Sequence, residues 1–201
     1  MNPLARSLLF VPGDRPDRYA RAVASGAHVV ILDLEDAVAP AAKAQARADV
    51  AAWLAQGGHG IVRINAADTE WYQEDVRALH GAPGAAVMLP KADAATVAQT
   101  VQALPGRPII ALLETVRGYM DLHKMARLPG VARIAFGSVD FAVDSGIADE
   151  ADAMTAIRTD IGSVHTHSAT SPGAGFGSLS MTARNTGQIS FSTMPFESTA
   201  R

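Results

Sequence analysis

The chain has 201 residues, 48% of them hydrophobic, a formal net charge of −3 and no cysteine. That is enough apolar material for one sizeable core. The missing cysteines exclude disulfides, thiolate metal sites, iron–sulfur clusters and a cysteine nucleophile, and the mild acidity, with no lysine- or arginine-rich run, gives no field for nucleic acid.

The opening stretch, MNPLARSLLFVPGDRP, holds an apolar run too short for a secretion signal or a membrane span, so a cytoplasmic protein with no membrane partner is expected. Six strands are predicted in chain order: Ser7 to Pro12, His28 to Glu35, Gly60 to Asn65, Ala85 to Lys91, Ile109 to Thr115 and Arg133 to Phe141. They are nearly continuous in Val, Ile and Leu, as strands of a parallel sheet covered on both faces are. Amphipathic helices fall between them. Pro40 opens an alanine-rich helix that Gly57 and Gly58 end, and Asp93 is the N-cap of another that Pro105 and Gly106 stop. Taking Pro12, Asp36, Arg63, Lys91, Glu114 and Asp140 as markers near the strand ends, the successive intervals are 24, 27, 28, 23 and 26 residues. Repeated βα units of that length build an α/β fold, either a barrel or a doubly wound sheet.

In such folds the carboxyl ends of the strands open onto the functional face. The stretch VVILDLEDAV follows a buried run with Asp33, Glu35 and Asp36, so its acids project into a shared mouth. Asp33 reads as a turn or cap residue. The other strands deliver Arg63, Lys91, Glu114 and Asp140 to the same rim. A carboxylate cluster in a low-dielectric mouth repels itself unless cations compensate it. Oxygen donors without cysteine favour a hard ion, and Mg²⁺ typically takes one or two protein carboxylates. Glu114 and Asp140 are the expected ligands. Arg63 offers a planar fork for a substrate carboxylate, or else a structural ion pair with Glu35 or Asp36. Lys91 neutralises the acids or touches substrate.

The segments RSLLFVPGDRPDRYARAVASGAHVVILDLEDAV, IVRIN, VMLPKA, IIALLET and ARIAFGSVDF resemble the citrate lyase beta-subunit-like branch of the aldolase/citrate lyase superfamily, over residues 6 to 161. The resemblance implies a TIM-type (β/α)8 barrel that uses Mg²⁺ to cleave or form a carbon–carbon bond between a CoA or acyl-carrier thioester, such as citryl-, citramalyl- or malyl-, and a 2-oxo acid. It implies that Glu114 and Asp140 hold the metal, that Arg63 binds the substrate carboxylate or oxyanion, and that Glu35 and Asp36 form part of the site wall; either acid is then a candidate base. Gly13, Arg15 and Arg18 read by themselves as a turn and helix start, and with the resemblance as a contact for the phosphate or pantetheine oxygens of CoA. A homo-oligomer is expected. The alternatives are a metal aldolase for free 2-oxo acids and an inactive binding or oligomerisation subunit.

Beyond residue 161 the composition changes. Residues 162–201 hold 8 Ser, 6 Thr and 5 Gly, and their only charged residues are Arg184, Glu197 and Arg201. Such a segment is expected to be irregular. Eight units at about 26 residues each would need about 208 residues, so the barrel, residues 1–161, is expected to be truncated after six units with two open edges, and the tail to be a foreign or frame-shifted ending. The HTH triplet at His165 to His167 is too short to signal a metal site. Trp53, Phe10 and Phe136 are expected to fill packing positions.

Overall fold

The structure is a computed structural model; it describes residue 5, residues 7–82 and 84–164, and the backbone of residues 179–183 and 188–192. Six parallel strands form the wall of a TIM-type barrel: β1 (Ser7–Pro12), β2 (Val29–Asp33), β3 (Ile61–Arg63), β4 (Ala86–Leu89), β5 (Ile109–Leu113) and β6 (Val131–Gly137). Each is paired with the next in chain order, because each crossover carries a helix that packs back on the sheet. These helices are α1 (Tyr19–Val23), α2 (Lys43–Ala55), α3 (Tyr72–His80), α4 (Ala94–Ala103), and α5 (Val116–Met120) followed by α6 (Leu122–Arg127). After β6 come α7 (Ser138–Ser145) and α8 (Asp152–Ser163).

The ring does not stay open. Strand β7 (Leu179–Ala183) runs parallel to β6, and β8 (Gln188–Ser192) pairs antiparallel with both β7 and β1. The expected end of the βα repeat after six units holds, and the two unpaired edges are corrected: an antiparallel pair stands where a seventh and eighth βα unit would be. The physical reason is that β1 and β6 each carry a free row of backbone donors and acceptors, which short strands of modest composition satisfy as well as apolar ones do. His165 to His167 lie outside the described residues.

Alternation along each strand separates two apolar populations. Leu8, Ile31, Ile61, Ala86, Met88, Ile110, Leu112 and Ala135 fill the barrel interior, while Leu32, Leu34, Val62, Ile64, Val87, Leu89, Ala111, Leu113, Ile134 and Phe136 pack outward beneath the helices. Both faces are buried, as the continuous apolar runs predict. Phe136 is fully buried, Phe10 borders the interior cluster, and Trp53 meets Tyr19 edge-on on the helix side.

The first strand has its predicted bounds, and the other five are shorter than predicted at their carboxyl ends. The sixth stops at Gly137, and Ser138 to Phe141 already belong to α7. Asp140 thus stands in the first turn of a helix, where its negative charge suits the positive end of the helix dipole. Asp93 is an N-cap, as predicted, with a reciprocal pair of bonds to Thr96.

Helix α5, which leads directly out of the Glu114 strand end, is seated by Gly118: any side chain there would run into the carbonyl oxygen of Ala92. Gly118→Ala is expected to lower stability by about 1–3 kcal/mol, the range for overpacking a filled site. Urea unfolding followed by circular dichroism checks this.

Candidate active site

The inward-facing rows do not end with the apolar layer. Two residues beyond Ile31 comes Asp33, beyond Ile61 comes Arg63, beyond Leu112 comes Glu114, and beyond Ala135 comes Gly137. Strand alternation therefore continues each interior row into the mouth. Asp33, Arg63 and Glu114 are all buried there.

Arg63 is the centre of this layer. Its Nε donates to Asp33 Oδ1 at 2.8 Å and its Nη2 to Asp33 Oδ2 at 2.6 Å, a two-pronged pair across adjacent strands. Nη1 lies 3.0 Å from Glu35 Oε2 and 3.4 Å from Asp36 Oδ2. The Phe10 ring lies 5.0 Å from the guanidinium carbon. The expected fork for a substrate is thus already occupied on one side by Asp33, and only the Nη1 edge faces the remaining acids. The sequence reading named Glu35 and Asp36 as ion-pair partners but gave Asp33 a turn role alone. Asp33 does both, because its oxygens also accept from the Glu35 amide at 2.9 Å and the Ala37 amide at 3.2 Å. Its place two residues past Ile31 on the interior row is the signal the sequence carries for it.

Glu35 is 7% exposed. Its Oε2 is close to Arg63 but accepts no hydrogen bond among the described residues. Burial raises its pKa from an ordinary 4.5 to about 8; Arg63 opposes this, and the charges of Asp36, Glu114 and Asp33 add to it. Asp36 is exposed at the outer edge.

Glu114 leaves β5 opposite Gly137. A Cβ at Gly137 would stand 2.7 Å from Glu114 Cγ and 2.8 Å from Oε1, so glycine opens the space this side chain fills. Oε2 accepts from the Lys91 backbone amide at 3.0 Å. Burial pushes Glu114 up to about 7, with that amide and Arg63 pulling down and Asp140 and Asp36 pushing up. The influence of Asp140 on Glu114 places the two expected metal ligands in one electrostatic neighbourhood. Among the described residues no cluster of three or more His, Cys, Asp or Glu is arranged to hold an ion; Mg²⁺ needs only one or two protein carboxylates and keeps water and substrate oxygens. Two oxygen donors, one of them buried and reluctant to ionise alone, fit Mg²⁺.

Two other expected site residues lie at the surface. The Lys91 side chain is exposed, and its contribution to the mouth is the amide, aimed at Glu114 from a left-handed backbone with φ of 48°. Arg15 makes a two-pronged, exposed pair with Asp17 at 3.0 Å.

The residue that sequence reasoning missed is Lys43, the first residue of α2. It is 6% exposed, and its ammonium donates to the carbonyls of Leu34 and Glu35 and to Asn65 Oδ1, each at 2.7 Å. Asn65 in turn donates its amide and its Nδ2 to Asp75 Oδ2, and Asp75 accepts from Arg47. No spacing rule distinguishes this lysine from a solvated one in an alanine-rich helix.

An α/β barrel whose strand ends gather carboxylates, one guanidinium and a candidate hard-ion pair is the architecture of a barrel enzyme with its site at the carboxyl face. The HpcH/HpaI aldolase/citrate lyase family matches residues 6–196, and the chain belongs to this family. The match continues past residue 161, where the quoted motifs end. A citrate lyase subunit beta-like protein of Mycobacterium tuberculosis is 41% identical over 138 residues, 69% of this chain and 49% of that protein. A (3S)-malyl-CoA thioesterase of Cereibacter sphaeroides is 35% identical over 146 residues, 70% of this chain and 51% of its own length. The chain spans about half the length of these curated relatives. The solved citrate lyase beta subunit of M. tuberculosis, complexed with oxaloacetate and magnesium, superposes with a TM-score of 0.70 at 38% identity, covering 81% of this chain and 75% of that one. A structure of the M. tuberculosis protein CitE with magnesium, acetoacetate and coenzyme A gives 0.68 at 38% identity, covering 79% and 61%.

Two outcomes follow from the geometry. Asp33→Asn leaves a buried guanidinium short of its principal partner and is expected to cost about 3 kcal/mol, the low end for breaking a buried pair because Glu35 and Asp36 remain; the urea midpoint reads it. Glu35 binds its proton more tightly folded than unfolded, so its contribution favours the fold below about pH 4.5 and is lost as pH rises toward about 8. Glu35→Gln is therefore expected to gain stability relative to the parent between about pH 5 and pH 8, measured as a difference in urea midpoints that widens with pH.

Proposed function

We propose that this chain carries the metal and substrate-activating part of a Mg²⁺-dependent carbon–carbon lyase. The substrate is a 3-hydroxyacyl thioester of CoA or of an acyl carrier, of the citryl, citramalyl or malyl type, and the products are an acetyl thioester and a 2-oxo acid. The observation that carries the reading is the buried Glu114 just past β5, whose pKa the charge of Asp140 in the first turn of α7 helps to raise, beside a mouth that holds Arg63 and Glu35. The family match and relatives solved with magnesium, oxo acids and coenzyme A support it.

Glu114 and Asp140 are the residues that would hold Mg²⁺, which when bound supplies Lewis-acid polarisation of the substrate oxygen. Arg63 presents Nη1 to the mouth and takes the substrate carboxylate there, displacing its contact with Asp36, the exposed partner at 3.4 Å. Asp33 keeps the guanidinium plane fixed during this exchange. Glu35, ionised, takes the proton from the substrate hydroxyl as the carbon–carbon bond breaks. The bonding electron pair leaves with the thioester fragment as an enolate, and a proton returns to that carbon. A carboxylate whose pKa lies near the working pH suits both the uptake and the return of a proton. The apolar surround of Phe10 and the interior layer limits water at the reacting carbon.

Cleavage of citramalyl-, malyl- and citryl-CoA by the purified protein, with and without EDTA and beside Asp140→Asn, tests the reading. Loss of activity both with EDTA and in the variant is expected, by at least about a hundredfold for removal of a metal-held charge. EDTA-resistant cleavage contradicts it. Turnover of free 2-oxo acids without CoA would instead favour a metal aldolase, and a chain that binds neither Mg²⁺ nor oxaloacetate would be an inert subunit.

A further inference from the structure

We propose that Lys43, which does not enter the mouth, is a positioning residue that sets Glu35 against Arg63; this rests on the functional reading above. The Glu35 peptide is gripped on two sides. Asp33 accepts from its amide at 2.9 Å, while the Lys43 ammonium holds its carbonyl and that of Leu34 at 2.7 Å. The third proton of the ammonium goes to Asn65 Oδ1 at 2.7 Å, two residues past Arg63 on the neighbouring strand exit. One buried cation therefore ties the turn bearing Glu35 to the strand bearing Arg63, and all three of its donors are used. The face of Trp71, 5.0 Å from Nζ, covers it.

This tie explains how a buried carboxylate oxygen without a hydrogen-bond partner among the described residues stays 3.0 Å from the guanidinium instead of rotating outward. The turn Leu34 to Asp36 is also held by backbone bonds, the Leu34 amide donating to the Arg63 carbonyl at 2.8 Å and the Val38 amide to the Glu35 carbonyl at 3.0 Å, and the Lys43 bonds add a charged anchor on the carbonyl side. Hydrogen bonds from a charged donor to two successive carbonyls restrict both peptide planes, and with them the direction in which the Glu35 side chain leaves the chain. The proposed metal ligands, Glu114 just past β5 and Asp140 in the first turn of α7, take none of the bonds of this tie, so Lys43 governs the oxo-acid half of the site and not the ion half.

The absence of any other cysteine permits a clean test. Lys43→Cys is alkylated while unfolded, either with 2-bromoethylamine, which restores an ammonium at nearly the original reach, or with 1-iodopropane, which gives the same shape without charge. After refolding, Mg²⁺ and then pyruvate in saturating Mg²⁺ are titrated by calorimetry. The aminoethyl form is expected to bind both within about threefold of the parent, and the propyl form to keep Mg²⁺ affinity within about threefold while losing pyruvate affinity by about tenfold or more, the scale of charged hydrogen bonds lost. Equal pyruvate affinity in the two forms overturns the proposal. Parallel loss of Mg²⁺ and pyruvate in the propyl form also overturns it, since it would mark Lys43 as a support of the whole fold. Failure of the parent protein to bind Mg²⁺ is a different result: it removes the functional reading itself, and the role of Lys43 falls with it.

Discussion

The site depends on one imbalance of charge. Asp33, Glu35, Asp36, Glu114 and Asp140 lie toward the carboxyl face, and Arg63 pairs with the first three of them. Carboxylates taken out of water without enough cations either hold protons or recruit an ion. Glu35 and Glu114 take the first course, with pKa values raised to about 8 and about 7. The second course is the one proposed for Glu114 and Asp140, with glycine at 137 giving the Glu114 side chain its space. A barrel that needed only stability would have ended its interior rows with apolar residues, since replacing buried charges by packed side chains is often neutral or stabilising.

Two scaffolds hold this imbalance in place. On the side of β2 and β3, a chain of bonds runs from Arg47 through Asp75 and Asn65 to Lys43 and the turn carrying Glu35. On the side of β4 and β5, the Lys91 amide fixes Glu114, and the seat of Gly118 against Ala92 fixes the helix that follows. The first scaffold is built of side chains and the second mainly of backbone. Under the proposed function that division separates substrate handling from ion handling, with Lys43 on the side of the acid facing Arg63 and Gly137 on the side of Glu114.

Much of this was legible in the sequence. Doubly covered strands read directly as unbroken Val, Ile and Leu, and the near-constant spacing of the strand-end charges marked the βα repeat. What stayed hidden has physical causes. Asp33 serves as a turn residue and as the partner of Arg63, and the local role masked the remote one until the interior row was followed two residues past Ile31. Lys91 contributes an amide, which every residue but proline possesses, so its side chain misdirects the eye. Lys43 looks like any lysine on a helix, because only the third dimension reveals that its end of α2 points under the mouth. Asp140 was expected at a strand end and stands in a helix turn, a shift of a few residues that still delivers its charge to the same rim. The closing hairpin escaped notice because antiparallel pairing is unusual in a parallel barrel and its strands carry few strong β-formers.

Calorimetry of Mg²⁺ binding in buffers of different ionisation enthalpy tests most directly whether the excess carboxylates at this rim exist to receive an ion. The Glu114 carboxyl, raised to about 7, must lose its proton to coordinate. Binding at about pH 6 should therefore release close to one proton, falling toward none above about pH 8.5, with neither heat nor release in Glu114→Gln. Mg²⁺ binding without proton release at the lower pH, or undiminished in that variant, would contradict the account.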